Sequence, residues 1–275
     1  MSLCPPGSSS RVLNQDLELA GDRQFATTLA RGLHLLKCFS PDRPELANKD
    51  FCQLLGLPKS TISRLTYTLC LLGYLHQADN STRFTLGSAT LSLGYPLLAN
   101  LALRQEARPA MNALADFARA SVSMGIRDRN NIVFFETSRS RRARSTRTAD
   151  IGMSYPIAAS SLGWAWLAAI SSEEREATLN AIRLKEPDLW QRYQKSMQDG
   201  LRQMRDNGFC VSYGGLRPEI VTVGAAYPEP VDGRVVVFNC AMHVSDCTPE
   251  YAQVEVGPRL LNMLAQLAKK GGTQG

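Results

Sequence analysis

The chain has 275 residues, 44% of them hydrophobic, and a formal net charge of +6. A chain of this length can bury a sizeable core and form one large domain or two ordinary ones, and we expect two. Its net positive charge permits a polyanionic partner without requiring one. No run reaches the roughly 18 apolar residues that cross a bilayer, and the first residues lack the basic start and apolar stretch of an export signal, so we expect a cytoplasmic protein without membrane contact.

The residue types that carry metal or redox chemistry do not cluster. The seven cysteines form no C-x-x-C pair and mostly lie among apolar neighbours, so we expect reduced, small core residues. The three histidines are far apart in sequence. Nucleophile-elbow, zincin, P-loop and dinucleotide-binding motifs are missing, and we therefore expect no metal, no cofactor and no enzyme activity.

The chain begins with a segment of little periodicity. Residues 1–23 combine Pro, Gly and Ser, and we expect a disordered tail. A helix is predicted from Ala26, with Thr27 or Thr28 as its N-cap. Its apolar face consists of Leu29, Leu33 and Leu36.

Two further helices are predicted close together. A short one runs from about Asp50 to Leu55 and is ended by Gly56. A second begins near Pro58, which suits a first helical turn because it has no amide to leave unpaired. On this helix an apolar stripe (Ile62, Leu65, Leu69, Leu72) lies opposite a polar arc (Ser60, Ser63, Arg64, Tyr67).

A β-hairpin is predicted next, because YLHQ (74–77) and RFTL (83–86) alternate like strands around a turn-forming stretch. This order of helices, tight turn and hairpin describes a winged helix-turn-helix domain, which we place at residues 24–88. The polar arc would then enter a DNA major groove. The alternative is a merely solvated polar face, which requires neither the turn nor the wing.

We predict a linker helix at residues 89–105 and a second domain at residues 106–275. The helical stretch that begins after Leu86 should be broken or bent near Pro96 and Pro109. Strands alternate with helices in this domain, which indicates an α+β fold with an antiparallel sheet flanked by helices. The predicted strands are VSMGIRD (122–128), NIVFFETS (131–138), FCVSY (209–213) and VVVFNCAM (235–242). The predicted helices are SLGWAWLAAI (161–170), 172–183, 188–207 and about 248–269.

From Phe25 to Ala268 the sequence resembles the IclR family of bacterial transcription regulators. TLARGLHLLKCF (28–39), LGLPKSTISRLTYTL (55–69), LGYL (72–75) and RFTLG (83–87) look like the family's first helix, its turn with the recognition helix, and its wing. YPIAASSLGWAWLA (155–168), GFCVS (208–212), AAYPEPVDGRVVVFNCAM (225–242) and the last helix look like its effector domain. The resemblance implies a winged-helix domain, a linker helix and a GAF-like C-terminal domain that binds a small molecule. It also implies dimers formed largely through the DNA-binding domains and linker helices, often paired into tetramers.

The resemblance further implies that the partner is double-stranded DNA with a palindromic operator. The residues carried over are Lys59, Ser60, Thr61, Ser63, Arg64, Tyr67 and, on the wing, Arg83. We expect Arg64 to read bases, because a guanidinium matches the paired acceptors of guanine, and Lys59 to contact phosphate. From Gln24 to Thr90, seven Lys/Arg and four Asp/Glu give a net charge of +3, so one copy should bind DNA weakly and a symmetric dimer should read two half-sites.

An effector pocket is implied beside the helix that follows Ala159, where amides at the helix start suit the carboxylate of a small organic acid. Ser160 and Ser161 are the first choices, although simple N-capping explains them equally well. Cys240 and Met242 occupy positions where relatives often carry serines, which predicts a more apolar cavity. The expected effector-binding set is Met153, Arg147, Ser160, Ser161, Leu162, Gly224, Cys240 and Met242.

Five arginines occupy nine positions in RSRRARSTR (139–147). A solvated loop is the first expectation, because like charges repel when they are confined. Two alternatives stay open: a lid that supplies Arg144 or Arg147 to an anionic ligand, and an additional DNA contact.

For the whole chain we predict a transcription regulator whose operator binding is modulated by a small organic, carboxylic or aromatic effector. One alternative is a small-molecule enzyme with an accessory DNA-binding module, but no nucleophile or base with a catalytic partner can be named. Another is a structural nucleoid protein, for which a ligand domain would be superfluous.

Overall fold

The structure is a computed structural model that describes residues 22–144 and 150–271. The chain divides between Asn100 and Leu101 into two compact units. Of the predicted tail at 1–23, all but the last two residues lie outside the described part. In the described ranges, no helix is long and apolar enough to cross a membrane.

The first unit contains four helices and a small sheet. Its helices are α1 (Thr27–Leu36), α2 (Asn48–Leu55), α3 (Lys59–Leu71) and α4 (Ala89–Ala99), and its strands are β1 (Leu46–Ala47), β2 (Leu75–Gln77) and β3 (Arg83–Leu86). The three strands pair antiparallel in the order β1-β3-β2. The β2–β3 hairpin is the predicted wing, while the two-residue strand β1 was not predicted because it is too short to show alternation.

Local chemistry explains the tight turn between α2 and α3. Gly56 ends α2 in the left-handed region at φ 62°, where a side chain would be strained. Pro58 then adopts an extended conformation and directly precedes α3. The side chains of Phe51, Ile62 and Phe84 are buried in one core that joins α2, α3 and the wing.

The apolar faces of the first unit do not all point inward. On α1 the core residue is Leu35, whereas Leu29 and Leu33 from the predicted apolar face are 65% and 47% exposed. The cap also differs from the prediction, because α1 begins after Ala26 and has no side-chain cap. Helix α4 buries none of its residues and exposes Leu91, Leu93, Tyr95 and Leu97.

The second unit is built on a six-stranded antiparallel sheet. Its strands are β4 (Ser121–Asp128), β5 (Asn131–Arg139), β6 (Ser154–Pro156), β7 (Cys210–Tyr213), β8 (Ile220–Ala226) and β9 (Val236–His243), in the order β6-β5-β4-β9-β8-β7. Its helices are α5 (Ala102–Ala118), α6 (Ser161–Ala169), α7 (Ser172–Lys185), α8 (Pro187–Asn207) and α9 (Gly257–Gly271). Helices α6 and α8 contact one side of the sheet, and α5 and α9 contact the other. The predicted fold class, a winged helix-turn-helix followed by an α+β domain with an antiparallel sheet, is confirmed.

Two helix boundaries differ from the predicted ones in an informative way. The break between α4 and α5 lies at Asn100 and Leu101, and both Pro96 and Pro109 lie inside helices. The last helix is preceded by a π-helical segment at Tyr251–Val256. The hydroxyl of Thr248 accepts a hydrogen bond from the Tyr251 amide at 3.1 Å, which agrees with the predicted helix start.

A β-bulge in β5 changes which side its residues face. Met124 pairs with Glu136 and the next residue, Gly125, pairs with Phe134, so Phe135 is an extra residue in β5. Such an insertion interrupts the strict alternation of a strand. Phe134 consequently lines a cavity on the α6 side of the sheet, whereas the Glu136 carboxylate contacts arginines of α5 on the other side.

Candidate nucleic-acid interface and ligand cavity

Helix α3 presents a polar strip to solvent. Lys59, Ser60, Arg64 and Tyr67 are exposed, with Tyr67 at 67%. The other two predicted contact residues of this helix, Thr61 and Ser63, are partly buried.

The opposite side of α3 is anchored in the core. Ile62 is fully buried and Leu65 is 9% exposed. The hydroxyl of the buried Thr66 donates to the Ile62 carbonyl at 3.0 Å and also lies 3.3 Å from Asn48 Oδ1 of α2. Leu72, expected on the same stripe, is 59% exposed because α3 ends at Leu71 and the chain turns toward the wing. The helix is thus held rigidly while its polar strip stays outside.

The cations of this surface differ in how they are held. Within residues 22–144 and 150–271, the side chains of Lys59 and Arg64 have neither an ion pair nor a hydrogen bond, so their charges are available to an anion. Arg83 on the wing is exposed and donates to the Glu45 carbonyl at 3.3 Å. A carbonyl leaves the positive charge of Arg83 uncompensated, so this residue too can meet a phosphate.

A cavity lies in the second unit between the start of α6 and the sheet. Its apolar wall is formed by Phe134, Tyr155, Leu162, Leu216 and Ile220. Its polar side chains are Ser160, Ser161, Ser212, Thr222, Asn239 and Arg217. A mostly apolar wall with a few polar groups is typical of a small-molecule site.

The two serines at the start of α6 already have partners in the chain. Ser160 caps the helix, because its Oγ accepts from the Gly163 amide at 3.1 Å and donates to the Pro156 carbonyl at 3.0 Å. Ser161 Oγ donates to Thr222 Oγ1 at 2.8 Å. Because the Gly163 amide is taken by Ser160, the other amides of the first turn and the helix dipole are the groups best suited to an anion at this end of the cavity.

Asn239 of β9 stands out among the cavity residues. Its side chain is 6% exposed, and its Oδ1 has no hydrogen-bond partner within the described parts of the chain. Ser121 of β4 is 1% exposed, and its Oγ likewise has no partner there. Pairing places Ser121 opposite Ala241, two residues from Asn239, so both groups face the α6 side.

A charged pair borders the cavity. The Arg217 guanidinium donates to Glu219 Oε1 through Nη2 at 2.6 Å. The backbone amide of Glu219 itself, and then this guanidinium, hold the pKa of the Glu219 carboxyl below its ordinary value. Glu219 is thus a local counter-charge with which the carboxylate of a ligand would compete for Arg217.

Several predicted effector residues lie elsewhere, and strand geometry gives the reason. Ser160, Ser161 and Leu162 line the cavity, as do Asn239 and Ala241. Cys240 and Met242 alternate with Asn239 and Ala241 on β9, so they face the α5 side and do not reach the cavity. The polar group of this strand that lines the cavity is therefore Asn239, which was not among the predicted effector residues.

The remaining predicted effector residues are also outside the lining. Gly224 faces the α6 side, but a Cβ there would lie 2.6 Å from the Ser161 carbonyl oxygen, so its role is the close approach of α6 to β8. Met153 packs against the apolar core beside α6. Arg147 lies outside the described residues.

The buried thiols near the sheet are chemically quiet. Desolvation by burial raises the pKa of the Cys210 and Cys240 thiols strongly, so both stay protonated at neutral pH. In the part of the chain that the structure describes, no group of three or more His, Cys, Asp or Glu gathers as a metal site would.

The described part of the arginine-rich loop lies at the surface. Arg139, Arg141 and Arg142 are exposed close to Asp116. Arg144 forms an ion pair with Asp246 at 3.1 Å. The structure brings none of these four arginines into the cavity.

Comparison with known proteins supplies the family. The model of the IclR helix-turn-helix domain matches residues 28–79, and that of the bacterial transcriptional regulator IclR C-terminal domain matches residues 96–270. The HTH-type transcriptional regulator TsaQ1/TsaQ2 of Comamonas testosteroni is 30% identical over 87% of this chain and 86% of its own.

Two solved structures extend the comparison. An IclR family transcriptional regulator from Brucella abortus is 38% identical, with a TM-score of 0.80 over 90% of this chain and 94% of its own. An IclR homologue from Microbacterium hydrocarbonoxydans in complex with 4-hydroxybenzoate is 20% identical and shares the fold, with a TM-score of 0.67 over 87% of this chain and 97% of its own. The exposed recognition helix, the cavity beside α6 and these matches lead to one conclusion: the chain belongs to the IclR family and is a DNA-binding transcriptional regulator.

Proposed function

We propose that α3 reads a palindromic double-stranded operator and that a small organic acid in the α6 cavity modulates this binding. The observation that carries the DNA half is the polar strip of α3, in which Lys59 and Arg64 are exposed cations without partners in the described chain while Ile62 and Leu65 fix the helix from beneath.

The contacts within this strip divide by chemistry. Arg64 projects from the middle of α3 and supplies a bidentate donor for a guanine edge. Lys59 and Ser60 lie in the first turn, where the helix dipole favours a phosphate, and Arg83 adds a wing contact to the backbone. Tyr67, with Thr61 and Ser63, completes the groove-facing set.

A second copy of the chain is the partner that we propose for the exposed leucines. A net charge of +3 in one DNA-binding unit is modest for stable binding. Leu29 and Leu33 of α1 and the four large apolar side chains of α4 form surfaces that water solvates poorly. A homodimer that covers them would present two copies of α3 to two half-sites, and such dimers could pair into a dimer of dimers.

The effector class follows from the cavity. The amides at the start of α6 and the Arg217 guanidinium at the border favour a carboxylate, and the wall around Phe134 and Tyr155 favours an apolar or aromatic body. The related protein solved with 4-hydroxybenzoate supports an acid of this size and kind.

The DNA half is tested with Arg64→Ala on the operator and on scrambled DNA of equal length. We expect binding to the operator to fall by about 1–3 kcal/mol and discrimination to relax at one base position, because a base contact is lost. Lys59→Ala is the matched control: it should weaken both DNAs alike and lower the slope of log affinity against log salt by about one. Equal loss on both DNAs for Arg64→Ala would reassign Arg64 to the backbone.

The effector half is tested by thermal shift of the full chain with a panel of carboxylic and aromatic acids. A ligand at 100 times its dissociation constant stabilises the fold by about 2.7 kcal/mol. Binders should change operator affinity in gel-shift titrations. A panel without a single stabilising acid would contradict the proposed effector class.

A further inference from the structure

We propose that Asn239 is a specificity-determining residue that selects effectors carrying a hydroxyl group in addition to their carboxylate. The inference rests on the proposed effector pocket and goes further by naming the second polar group of the ligand and the residue that recognises it. Asn239 lines the cavity, is 6% exposed, and has an amide oxygen without a partner in the described chain.

An unpartnered buried amide is costly, and native proteins satisfy nearly all such groups. Two neighbours on this face of the sheet use their polar groups on each other: Thr137 Oγ1 donates to Ser123 Oγ at 3.0 Å. Ser123 lies directly opposite Asn239 in the β4–β9 pairing, yet no bond joins their side chains. The Asn239 amide thus faces the cavity although a hydroxyl is close by on the same face.

The chemistry of an amide limits what it recognises. It offers one acceptor oxygen and two N–H donors, so its best partner both donates and accepts, as a hydroxyl or phenol does. A second carboxylate could only accept and would leave the Asn239 oxygen unpaired. The cavity should therefore prefer a hydroxylated monocarboxylic acid to a dicarboxylic acid.

The sheet also places the two groups that would recognise the ligand on neighbouring strands. The start of α6 lies over β8, because Ser161 Oγ bonds to Thr222 and the Ser161 carbonyl closely approaches Gly224. Asn239 is on β9, the next strand. Neighbouring strands are about 4.8 Å apart, so the two recognising groups start from separate strands. This separation favours a ligand whose hydroxyl and carboxylate are well apart over one that carries them on neighbouring carbons.

Ser121 is a second buried polar residue on this face of the sheet whose side chain is unpaired among the described residues. It lies on β4, is 1% exposed, and its hydroxyl also has no partner among the described residues. It faces Ala241, a small side chain that lines the cavity. Ser121 itself is not part of the cavity lining, so Asn239 is the residue that presents the unpaired polarity of this face to a ligand.

The test uses isothermal titration of the full chain with matched acids: benzoate, its 2-, 3- and 4-hydroxy derivatives, terephthalate, hexanoate and 6-hydroxyhexanoate. We expect at least one of the distal hydroxy acids to bind about tenfold or more tightly than its unsubstituted parent, because one buried hydrogen bond separates them. 2-Hydroxybenzoate should gain nothing over benzoate, and terephthalate should bind more weakly than either.

Asn239→Leu should abolish this preference, measured as the ratio of the affinities for a hydroxylated acid and its unsubstituted parent in the same variant, and should leave the thermal midpoint of the ligand-free protein unchanged or higher. Met242→Leu, on the same strand but facing α5, is the control and should keep the preference. Asn239→Ala serves as the second variant if the leucine does not fit, and it too should lose the preference.

Three outcomes would overturn the inference. Equal affinity for the hydroxylated and unsubstituted acids, or a preference that survives in Asn239→Leu or Asn239→Ala, would reject Asn239 as the selecting residue and leave the proposed function intact. Absence of binding by every acid in the wild type would reject the effector class and this inference together.

Discussion

On the α5 side of the six-stranded sheet, the buried Glu136 carboxylate lies 2.8 Å from Arg104 Nε and 2.8 Å from Arg108 Nη2, and it also accepts the Thr137 amide. On the α6 side of the same sheet, Asn239 and Ser121 are equally buried, but their side chains have no partner within residues 22–144 and 150–271. These polar groups are buried to a similar extent, but they differ in whether the chain supplies their hydrogen-bond partners. The Glu136 carboxylate, which the chain itself satisfies, stabilises the fold, whereas the unpaired Asn239 amide oxygen in the cavity wall is the group that we propose for a ligand contact.

The largest effect is expected from Glu136→Ala. Removal of the carboxylate leaves the partly buried Arg104 without its counter-charge, which should lower the free energy of unfolding by about 3 kcal/mol. The three tryptophans all lie in the second unit, so urea unfolding followed by tryptophan fluorescence reports this unit alone.

Arg108→Ala is the matched control for that prediction, because the Arg108 side chain is 54% exposed and Arg104 would still pair with Glu136. We expect it to cost less than about 1 kcal/mol. Equal losses of unfolding free energy in Glu136→Ala and Arg108→Ala would contradict this prediction, because the Glu136–Arg104 pair would then not be what stabilises the α5 side.

Two buried serines on the α6 side allow a paired hydroxyl group to be compared with an unpaired one. Ser161 and Ser121 are both 1% exposed, but among the described residues Ser161 has a partner, the hydroxyl of Thr222, and Ser121 has none. Ser161→Ala should cost about 1 kcal/mol, because Thr222 loses its hydrogen bond, whereas Ser121→Ala should stay within about 0.5 kcal/mol of the parent or be more stable. The measurement is the same urea titration, and a larger loss for Ser121→Ala than for Ser161→Ala would show that Ser121 is structural.

The smallest expected effect is the chemical labelling of two buried cysteine thiols, one on each side of the sheet. Burial raises the pKa of Cys240 on the α5 side and of Cys210 on the α6 side, so the reactive thiolate is scarce at pH 8 and remains scarce at pH 9. Iodoacetamide labelling followed by peptide mass spectrometry should find both unmodified in the native protein and modified in urea. Faster native labelling of Cys210 than of Cys240 would show that the α6 side opens more readily.

Much of the first unit follows from local sequence. The wheel of α3 separates Ile62 and Leu65 from Ser60 and Arg64, and the structure buries the first pair and exposes the second, because helical periodicity depends only on neighbours in sequence. The position of Leu29 was not predictable in this way. Periodicity shows that leucines share a face, but not whether that face contacts this chain's own core.

The cavity depends on long-range pairing that the sequence does not display. The alternation of β9 was predicted, but not which of its two sides faces α6, and this choice decides between Asn239 and Cys240. One signal was present: Asn239 is the single amide in the otherwise apolar run VVVFNCAM. A buried amide in such a run indicates a partner, although its nature becomes visible only with the cavity.

The bulge at Phe135 places Phe134 and Glu136 on opposite sides of the sheet. Phe134 and Glu136 are two positions apart, and a regular strand would turn them the same way. Deletion of Phe135 would restore simple alternation and keep both side chains where they are, because Phe134 and Glu136 would become neighbours on opposite sides of the sheet. A frame-preserving deletion of the Phe135 codon should therefore leave the Glu136 carboxylate beside the arginines of α5, and its main cost should be the lost burial of the Phe135 side chain.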